Sequence, residues 1–330
     1  MKRGFDSKKY LKIQSGEVVK GIKKFKRLYL EIGGKLTYDN HASRVLPGYK
    51  KTIKINLLKS LGELAIIYCI NAKDLEFTRL LSINKITYQK QILKNLRDLK
   101  KFNLPKPIIV ITRFEGEEKA KQFSKILKKK KFKIYFYNET KNYTKSPTNA
   151  IRGYKSQNYI PIKENLIIIT GPAGNSGKMA TALSQIYHEK KMKIQSAFAK
   201  LETFPVHNLP LSHPINLAYE SATADLQDKN QIDILHKKYH NIIAVNYNRD
   251  IDNFRILKAI TKQNFPFGYK SPTDMGISNI KSGIIDDELC RKASIKEIKR
   301  RYKFYKKELK KGRETIKTIK RMEEILKKIK

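Results

Sequence analysis

Three short apolar runs constrain the fold of this chain more than any other feature. They read LAIIYCI (64–70), PIIVIT (107–112) and LIIIT (166–170), and a polar loop follows each of them. Segments with apolar residues at helical spacing come next, as Ile92 and Leu96 illustrate after the first run. Strands that are apolar on both faces are typical of parallel sheets covered by helices on both sides. The alternation predicts an α/β fold with mostly parallel sheets flanked by helices, either Rossmann-like or P-loop-like.

The same pattern divides the chain into three segments. Residues 1–145 are predicted to form an N-terminal α/β subdomain, and residues 146–290 a second one that contains a P-loop-like turn. The polar stretch 139–163 is interpreted as a linker or an excursion between the two halves. Residues 291–330 place apolar side chains at helical spacing on both sides of Gly312, which predicts an added helical hairpin.

The charge of the chain is strongly positive. It has 71 lysine and arginine residues against 30 acidic ones, which gives a net charge of +41. Such a balance suits an anionic partner, for example nucleic acid. Lysine, isoleucine and asparagine are abundant together, however, as codon bias in an AT-rich genome produces, and charge runs are usually solvated faces. Residues 291–330 alone hold 18 basic and 5 acidic residues. We favour solvated faces and keep nucleic-acid binding as an alternative.

Cysteine use and hydropathy indicate a cytoplasmic globular protein that does not enter a membrane. Hydrophobic residues make up 40% of the chain, and the two cysteines, Cys69 and Cys290, are too far apart in sequence to suggest a disulfide framework. No stretch approaches the roughly 18 apolar residues that are needed to span a bilayer. The segment MKRGFDSKKY (1–10) is basic but no apolar segment of a secretory signal follows it.

The segment IIITGPAGNSGKMATALSQ (167–185) has the order of parts of a phosphate-binding loop: a strand, a glycine-rich turn and a lysine that opens a helix. Two departures stand out. Gly171 lies one residue too early for G-x-x-x-x-G-K, and Met179 replaces the hydroxyl residue that binds Mg²⁺. We predict that the turn binds a phosphate or a nucleotide, the latter with Mg²⁺. The residues predicted to bind it are Gly171, Gly174, Asn175, Ser176, Gly177, Lys178 and Thr181.

Polar residues after the other predicted strands are candidates for the rest of the site, because ligands of open α/β sheets bind at the carboxyl ends of the strands. The last predicted strand, NIIAVNY (241–247), is included. Catalysis is assigned to Lys178, Glu202 and Arg249. The carboxylates predicted to bind Mg²⁺ are Glu202, Glu220 and Asp225. The residues predicted to bind an acidic substrate are Arg44, Asn71, Lys73, Asp74, Asn248 and Lys270.

These residues favour a protein that binds a phosphorylated or acidic small molecule, with an ATP-dependent reaction as the sharper hypothesis. One alternative is a metal-dependent hydrolase built on histidines that lie in or beside the polar loops: His41, His188, His207 and His213. The other alternative is a nucleic-acid binder that uses residues 291–330. Assembly into a homo-oligomer is compatible with each of these functions.

Several long motifs resemble a known bacterial family, uncharacterised protein family 0371. They are GFDSKKYLKIQS, RLYLEIGGKL, HASRVLPG, CINAKDLE, GNSGKMATALSQIYHE, AKLETFPVHNLPLSHPINLAYESATADL, AVNYNRDI and FGYKSPTDMG. The resemblance runs from about Phe5 to about Arg321. It implies an α/β protein of several subdomains with added helices and a further C-terminal domain, so this chain is expected to be shortened. It leaves the activity open.

The glycine-rich turn departs in part from the pattern of that family. The family turn resembles Gly-Pro-Gly-Ser-Gly-Lys, which Ser176, Gly177 and Lys178 match and which Ala173, Gly174 and Asn175 do not. The order of turn, helix and KLETFP (200–205) is similar to that of nucleotide-dependent ligases of the dethiobiotin synthetase type, a likeness of fold alone.

Overall fold

A computed structural model describes residues 2–81, 86–143, 146–202, 205–261 and 268–329 of the chain. Within them, seven strands form one parallel sheet in the order β11-β8-β1-β7-β2-β5-β6. Two small antiparallel pairs, β3 with β4 and β9 with β10, lie outside that sheet. The strands are β1 (Arg27–Ile32), β2 (Ala65–Asn71), β3 (Leu80–Leu81), β4 (Ile86–Thr87), β5 (Ile108–Phe114), β6 (Ile134–Asn138), β7 (Leu166–Thr170), β8 (Ser196–Leu201), β9 (Asn230–Ile232), β10 (Val245–Tyr247) and β11 (Gly276–Ile277).

Helices connect the strands of the sheet and cover it. The helices are α1 (Ser7–Lys24), α2 (Asn40–Val45), α3 (Ile53–Ser60), α4 (Ala72–Glu76), α5 (Tyr88–Lys101), α6 (Glu118–Lys129), α7 (Pro147–Ser156), α8 (Lys178–Lys191), α9 (Pro214–Ala222), α10 (Ile234–His240), α11 (Asn248–Thr261), α12 (Ile280–Gly283), α13 (Asp287–Leu309) and α14 (Ile316–Lys327). Single turns of 3₁₀ helix span Ala224–Leu226 and Pro272–Met275.

The central strands are apolar on both faces, and the fold follows from this property. Every residue of β2, β7 and β8 is buried, and these strands form the main core together with the helices that pack on them. A strand with no solvent-facing side needs cover on both faces, which the crossover helices of a parallel sheet supply. The predicted α/β class with a mostly parallel sheet is therefore confirmed.

Both halves of the chain contribute strands to this one sheet. Strand β1 comes from the first predicted subdomain, and it lies between β7 and β8 of the second. The sheet is thus continuous across position 145. The linker interpretation of residues 139–163 is wrong over Pro147–Ser156, where helix α7 begins after the Ser146 cap and packs on α8. Apolar residues such as Ala150 and Tyr154 bury one face of α7, which gives this segment a place in the core.

One predicted strand of the sheet lies elsewhere. NIIAVNY holds β10, which pairs antiparallel with β9 and does not extend the main sheet. The expectation that Asn248 and Arg249 follow a strand of the main sheet is therefore wrong. Their neighbour Asp250 nevertheless forms an ion pair with Lys200 at the end of β8, so the start of α11 does reach that edge.

A second core joins the helices α9, α13 and α14 to α2 and to the start of the chain. The predicted helical hairpin is confirmed, with Gly312 between its helices in the left-handed region at a φ of 66°. Its apolar stripe is buried in part, for example at Ile298, Tyr305 and Met322.

None of the helices in the described ranges is both long and apolar enough to cross a membrane.

Candidate functional site

The glycine-rich turn lies at the point of the sheet where the connections from two adjacent strands leave in opposite directions. From β7 the chain passes over β1 to β8, whereas from its neighbour β2 the chain leaves in the opposite direction to β5. Adjacent strands whose connections diverge leave a crevice at their carboxyl ends, and this is where open α/β sheets bind ligands. The turn 171–177 follows β7, and Asn71 ends β2 beside it.

The backbone of the turn requires glycine at two positions. A Cβ atom on Gly171 would lie 2.7 Å from the carbonyl oxygen of Cys69. Gly177 has a φ of 79°, and a Cβ atom there would lie 2.8 Å from the Thr112 hydroxyl. Gly177 is also the N-cap of α8, and within the described ranges no side chain accepts a hydrogen bond from the first N–H groups of this helix. The positive end of the α8 dipole is therefore available at the turn.

Neighbouring strands hold the turn in place. Thr112 on β5 donates a hydrogen bond of 3.0 Å to the Ser176 carbonyl oxygen, and the Asn71 amide donates one of 3.2 Å to the Asn175 carbonyl oxygen. Lys35 donates to the carbonyl oxygen of Pro172. The Asn71 side-chain oxygen accepts from the Lys73 N–H as the cap of α4. Asn71, predicted to bind substrate, is thus a residue that positions the turn.

Charged side chains of both signs border the turn. The Lys178 ammonium lies 3.6 Å from Glu31 Oε1 at the end of β1, and both side chains are mostly buried. The pKa of Lys35 is lowered to about 8, chiefly by burial and in smaller part by the charge of Lys178, while the charge of Asp39 opposes this shift. Lys200 is the neighbour of Glu31 in the β1–β8 pairing and is paired with Asp250. This edge therefore presents three lysines and one carboxylate that is not fully paired.

Two buried oxygen atoms at this edge have no hydrogen-bond partner in the described part of the chain. They are Ser176 Oγ in the turn and Glu31 Oε2 beside Lys178. Buried polar atoms are nearly always paired in folded proteins, so an unpaired one in a cleft is typical of a site that a ligand, an ion or water completes. The sequence places Glu31 and Lys35 at the end of the predicted strand RLYLEI (27–32), Glu31 within it and Lys35 after it, but neither residue was assigned a role in the predicted site.

Thr181 does not face a ligand. Its side chain is buried against the sheet, where the hydroxyl donates to the Gly177 carbonyl oxygen at 3.0 Å and accepts from the Cys69 thiol at 3.5 Å. Position 181 is the fourth residue of α8, and it lies on the helix face that packs on the strands. The contacts of Thr181 therefore lend no support to its predicted role in cofactor binding.

Glu202 belongs to a buried polar cluster on the other side of β1. Its carboxylate accepts hydrogen bonds from the Tyr10 and Tyr49 hydroxyls and forms an ion pair of 2.8 Å with Lys54. Lys54 also contacts Asp39 at 2.8 Å. All of these side chains are buried, so Glu202 has no face open to a substrate or a metal ion. We interpret this cluster as structural, in place of the predicted catalytic and Mg²⁺-binding roles.

The three predicted Mg²⁺ ligands do not converge. Glu220 on α9 is fully buried and paired with Arg321 on α14. Asp225 accepts a hydrogen bond of 3.4 Å from the Tyr305 hydroxyl on α13. Burial raises the pKa of Asp225, and the charges of Arg79 and Arg301 only partly oppose this rise. With Glu202 in the cluster described above, each carboxylate has its own partner, and no shared cation site forms among them.

The other predicted substrate and catalytic residues are engaged in separate contacts. Arg44 pairs with Glu297, Lys73 with Glu115 and Glu139, Asp74 with Arg79, and Arg249 with Asp228, while Asn248 accepts from the Lys229 N–H and Lys270 donates its N–H to Asp274. Of the predicted residues, the structure thus brings together the turn, Lys178 and Asn71. The remainder are distributed over other elements of the fold.

The four histidines of the hydrolase alternative are also dispersed. His41 contacts Glu297, and His213 contacts Asp287. The ring of His188 packs beside Tyr187, and the backbone carbonyl oxygen of His207 accepts a hydrogen bond from the Val245 N–H. The one group of potential metal ligands in the described residues is a different one, namely His236, His240 and Asp274. Its sequence signal is HKKYH (236–240), two histidines four residues apart on a helix, which the sequence analysis did not use.

Comparison with known proteins assigns the chain to a family. A family model described as "Domain of unknown function DUF1846, N-terminal" matches residues 3–330. The chain belongs to this family. It is 44% identical over 307 residues to a "UPF0371 protein" of Clostridium tetani, with 92% of this chain and 61% of the relative covered.

Further relatives have similar coverage. A UPF0371 protein of Clostridioides difficile is 42% identical over 317 residues, with 94% of this chain and 63% of the relative covered. One of Clostridium botulinum (strain Kyoto) is 43% identical over 306 residues, with 91% and 61% covered. The resemblance to this family is thus confirmed, and the chain spans less than two thirds of the length of the curated relatives it matches.

The turn of this family member offers a direct test of its backbone geometry. We expect Gly177→Ala to lower the free energy of unfolding by about 2–4 kcal/mol, because the left-handed backbone and the contact with Thr112 both oppose a Cβ atom. Urea denaturation followed by circular dichroism measures this. Gly16→Ala is the control, since a Cβ atom there meets nothing within 4 Å inside α1 and should be neutral or stabilising. Equal effects of the two substitutions would contradict the assigned turn geometry.

Proposed function

We propose that this chain binds an anionic ligand that carries a phosphate group at the turn 171–178. The observation that carries the proposal is the position of a glycine-rich turn at the switch point of the sheet, directly before the uncapped N-terminus of α8. Lys178 and Lys35 lie on either side of this turn and supply positive charge. The Ser176 hydroxyl in the turn is buried without a hydrogen-bond partner among the described residues, so it could donate to a ligand that reaches it.

A nucleotide with Mg²⁺ fits this edge better than a bare phosphate. Glu31 lies beside Lys178 and would repel a free phosphate, whereas a divalent ion between carboxylate and phosphate offsets that repulsion. In this proposal Lys178 contacts the phosphate oxygens and Glu31 takes the place of the hydroxyl that Met179 lacks. An ATP-dependent reaction on an acidic small molecule is the finer proposal, and it concerns proteins of the full length of the relatives, of which this chain covers 61% in the Clostridium tetani protein.

Calorimetric titration with ATP, ADP and pyrophosphate, each with and without Mg²⁺, tests the proposal. We expect Lys178→Met to weaken binding about tenfold or more, because a charge-assisted hydrogen bond contributes roughly 1.5–3 kcal/mol. Lys191→Met is the matched control, since it removes the same charge from the exposed opposite end of α8. General attraction of anions by a +41 chain would weaken equally in both variants, and that result would overturn the proposal.

The substitution Glu31→Gln tests the contribution of Mg²⁺ to binding separately from phosphate binding by the turn. With the carboxylate removed, ATP without Mg²⁺ should bind more tightly than it binds the wild type, and added Mg²⁺ should improve binding less. Unchanged Mg²⁺ dependence in Glu31→Gln would remove Glu31 from the proposal but would leave phosphate binding by Lys178 in place.

A further inference from the structure

Two histidines and an aspartate meet at the edge of the sheet, away from the glycine-rich turn. His236 and His240 are four residues apart on α10, so their side chains lie on the same face of the helix. Asp274 lies in the 3₁₀ turn Pro272–Met275, which leads into the edge strand β11. The two imidazole rings have centroids 4.6 Å apart, and Asp274 Oδ1 lies next to both.

The two histidine–aspartate distances are close to the separations of ligand atoms around a coordinated metal ion. His240 Nε2 lies 3.0 Å and His236 Nδ1 lies 3.4 Å from Asp274 Oδ1. One donor atom of each residue lies within 4.8 Å of the others. A tetrahedral Zn²⁺ ion with bonds of about 2.0–2.1 Å holds its ligand atoms about 3.3–3.4 Å apart. Small side-chain adjustments therefore bring all three donors to a common centre.

Backbone contacts orient the carboxylate of Asp274. Its Oδ2 atom accepts hydrogen bonds from the N–H groups of Lys270 and Ser271, at 2.8 and 2.9 Å. Oδ2 also lies 3.2 Å from His240 Nε2, while Oδ1 lies near both histidines. Hydrogen bonds of this kind to a ligating carboxylate are the usual outer support of protein metal sites.

The buried carboxylate of Asp233 connects helix α10 to the turn Pro272–Met275. Asp233 caps α10 through the N–H of His236 at 3.0 Å. Its other oxygen accepts from the N–H and the hydroxyl of Thr273, at 2.9 and 2.7 Å. The histidine-bearing helix and the aspartate-bearing turn are thus joined through Asp233, which is not one of the proposed ligands. Preorganisation of this kind lowers the cost of ordering the ligands when an ion binds.

The three side chains remain accessible from solvent. His240 is exposed by about a third, and His236 and Asp274 by less than a fifth. An ion can therefore enter, and a water molecule can occupy a fourth position, as in zinc sites with three protein ligands. The Ser271 hydroxyl lies 2.8 Å from His236 Nδ1 and would exchange this contact for a metal bond or add a further oxygen.

We propose that His236, His240 and Asp274 bind Zn²⁺ or another late first-row divalent ion. Two imidazole nitrogens and one carboxylate oxygen suit this class of metal, whereas Mg²⁺ prefers oxygen ligands and keeps its water. The site is formed by α10 and the turn before β11, so it does not depend on phosphate binding at residues 171–178. The competing account of the same geometry is a set of hydrogen bonds between the two histidines and Asp274.

Metal titration of the chain without an affinity tag, after treatment with a chelator, tests the proposal. We expect one Zn²⁺ per chain by calorimetry, and Co²⁺ as a probe should give the visible absorption bands of a low-coordinate site. His240→Ala should weaken Zn²⁺ binding by about 100-fold or more. His188→Ala is the matched control, because it removes a histidine that lies outside the cluster, and it should bind like the wild type.

His240→Gln distinguishes a metal site from hydrogen bonding alone. Glutamine retains a donor for Asp274 but is a poor zinc ligand, so this variant should fold like the wild type by circular dichroism and still lose the Co²⁺ bands. The proposal is overturned if the wild type binds no Zn²⁺ at near-equal stoichiometry. Equal Zn²⁺ affinity in His240→Gln and the wild type would overturn it as well.

Discussion

Replacement of Lys54 by methionine is expected to lower the free energy of unfolding by about 3–5 kcal/mol. The Lys54 ammonium is fully buried and contacts the Gly33 carbonyl oxygen at 2.6 Å and the carboxylates of Asp39 and Glu202 at 2.8 Å each. Methionine fills a similar volume but leaves two buried carboxylates without their cation. Removal of one partner from a buried ion pair costs far more than the pair contributes as a whole.

The pKa shifts of Lys54 and Asp39 also indicate that the charge of Lys54 stabilises the folded protein. Burial alone would lower the pKa of Lys54, but the charges of Asp39 and Glu202 outweigh burial and raise it. Burial alone would raise the pKa of Asp39, and the Lys54 charge is the main reason that it is lowered instead. In Lys54→Met that opposing charge is gone, so the folded-state pKa of Asp39 rises. The variant should therefore regain part of its lost stability as the pH falls toward 4.

Urea denaturation at pH 7 and at pH 5 measures both effects. Lys59→Met is the control, because Lys59 is exposed on the same helix, α3, and its replacement should change stability by less than about 0.5 kcal/mol. A Lys54→Met protein as stable as Lys59→Met would contradict the assignment of Lys54 to a structural cluster. The carboxylate of Glu202 is needed to neutralise buried Lys54, which makes it unsuited to the catalytic role predicted for it.

The strands of the sheet were predictable because their signal is local. Runs such as LIIIT are apolar on both faces, and this property alone identifies a covered parallel strand. The order of the strands was not predictable in the same way. Strand β1 pairs with β7 and β8, which follow it by more than a hundred residues, and nothing in RLYLEI itself indicates those partners. The two predicted subdomains therefore share a sheet that their separate patterns do not reveal.

The candidate site was likewise predictable where its residues are close together in sequence, and not where they are far apart. The glycine-rich turn and Lys178 are adjacent in sequence, so their spacing predicts the strand, turn and helix that the structure contains. Glu202 also follows a strand, but its environment depends on Tyr10, which lies 192 positions earlier in the chain. Strand ends locate a residue at the rim of a sheet, and only the packing of distant helices determines whether its side chain is buried or faces a ligand.

Replacement of Glu297 by glutamine is the second substitution for which we expect a large loss of stability, about 3–5 kcal/mol at neutral pH. Glu297 lies on α13 with its side chain almost fully buried, where it contacts Arg44 at 2.8 Å, Arg300 at 2.6 Å and Arg301 at 3.2 Å. Arg301 is buried as well, so a neutral side chain at position 297 leaves three arginines close together without a counter-charge. The contact with Arg44 also ties α13 to α2, which lies more than two hundred residues earlier.

The loss of stability caused by Glu297→Gln should be larger at neutral pH than at acidic pH. Burial alone would raise the pKa of Glu297, but hydrogen bonds from Arg300, His41 and Arg44 and the charge of Arg301 hold it far below its usual range. A depressed pKa contributes stability that is present above the unfolded value of about 4.3 and is lost as the pH falls toward the folded value. The difference between the wild type and Glu297→Gln should therefore be largest above about pH 5 and shrink below it. Glu288 is exposed on the same helix, so Glu288→Gln should have the same free energy of unfolding as the wild type at every pH. Urea denaturation from pH 3 to pH 8 measures all three proteins, and a difference that stays constant over this range would show that Glu297 does not act through its charge.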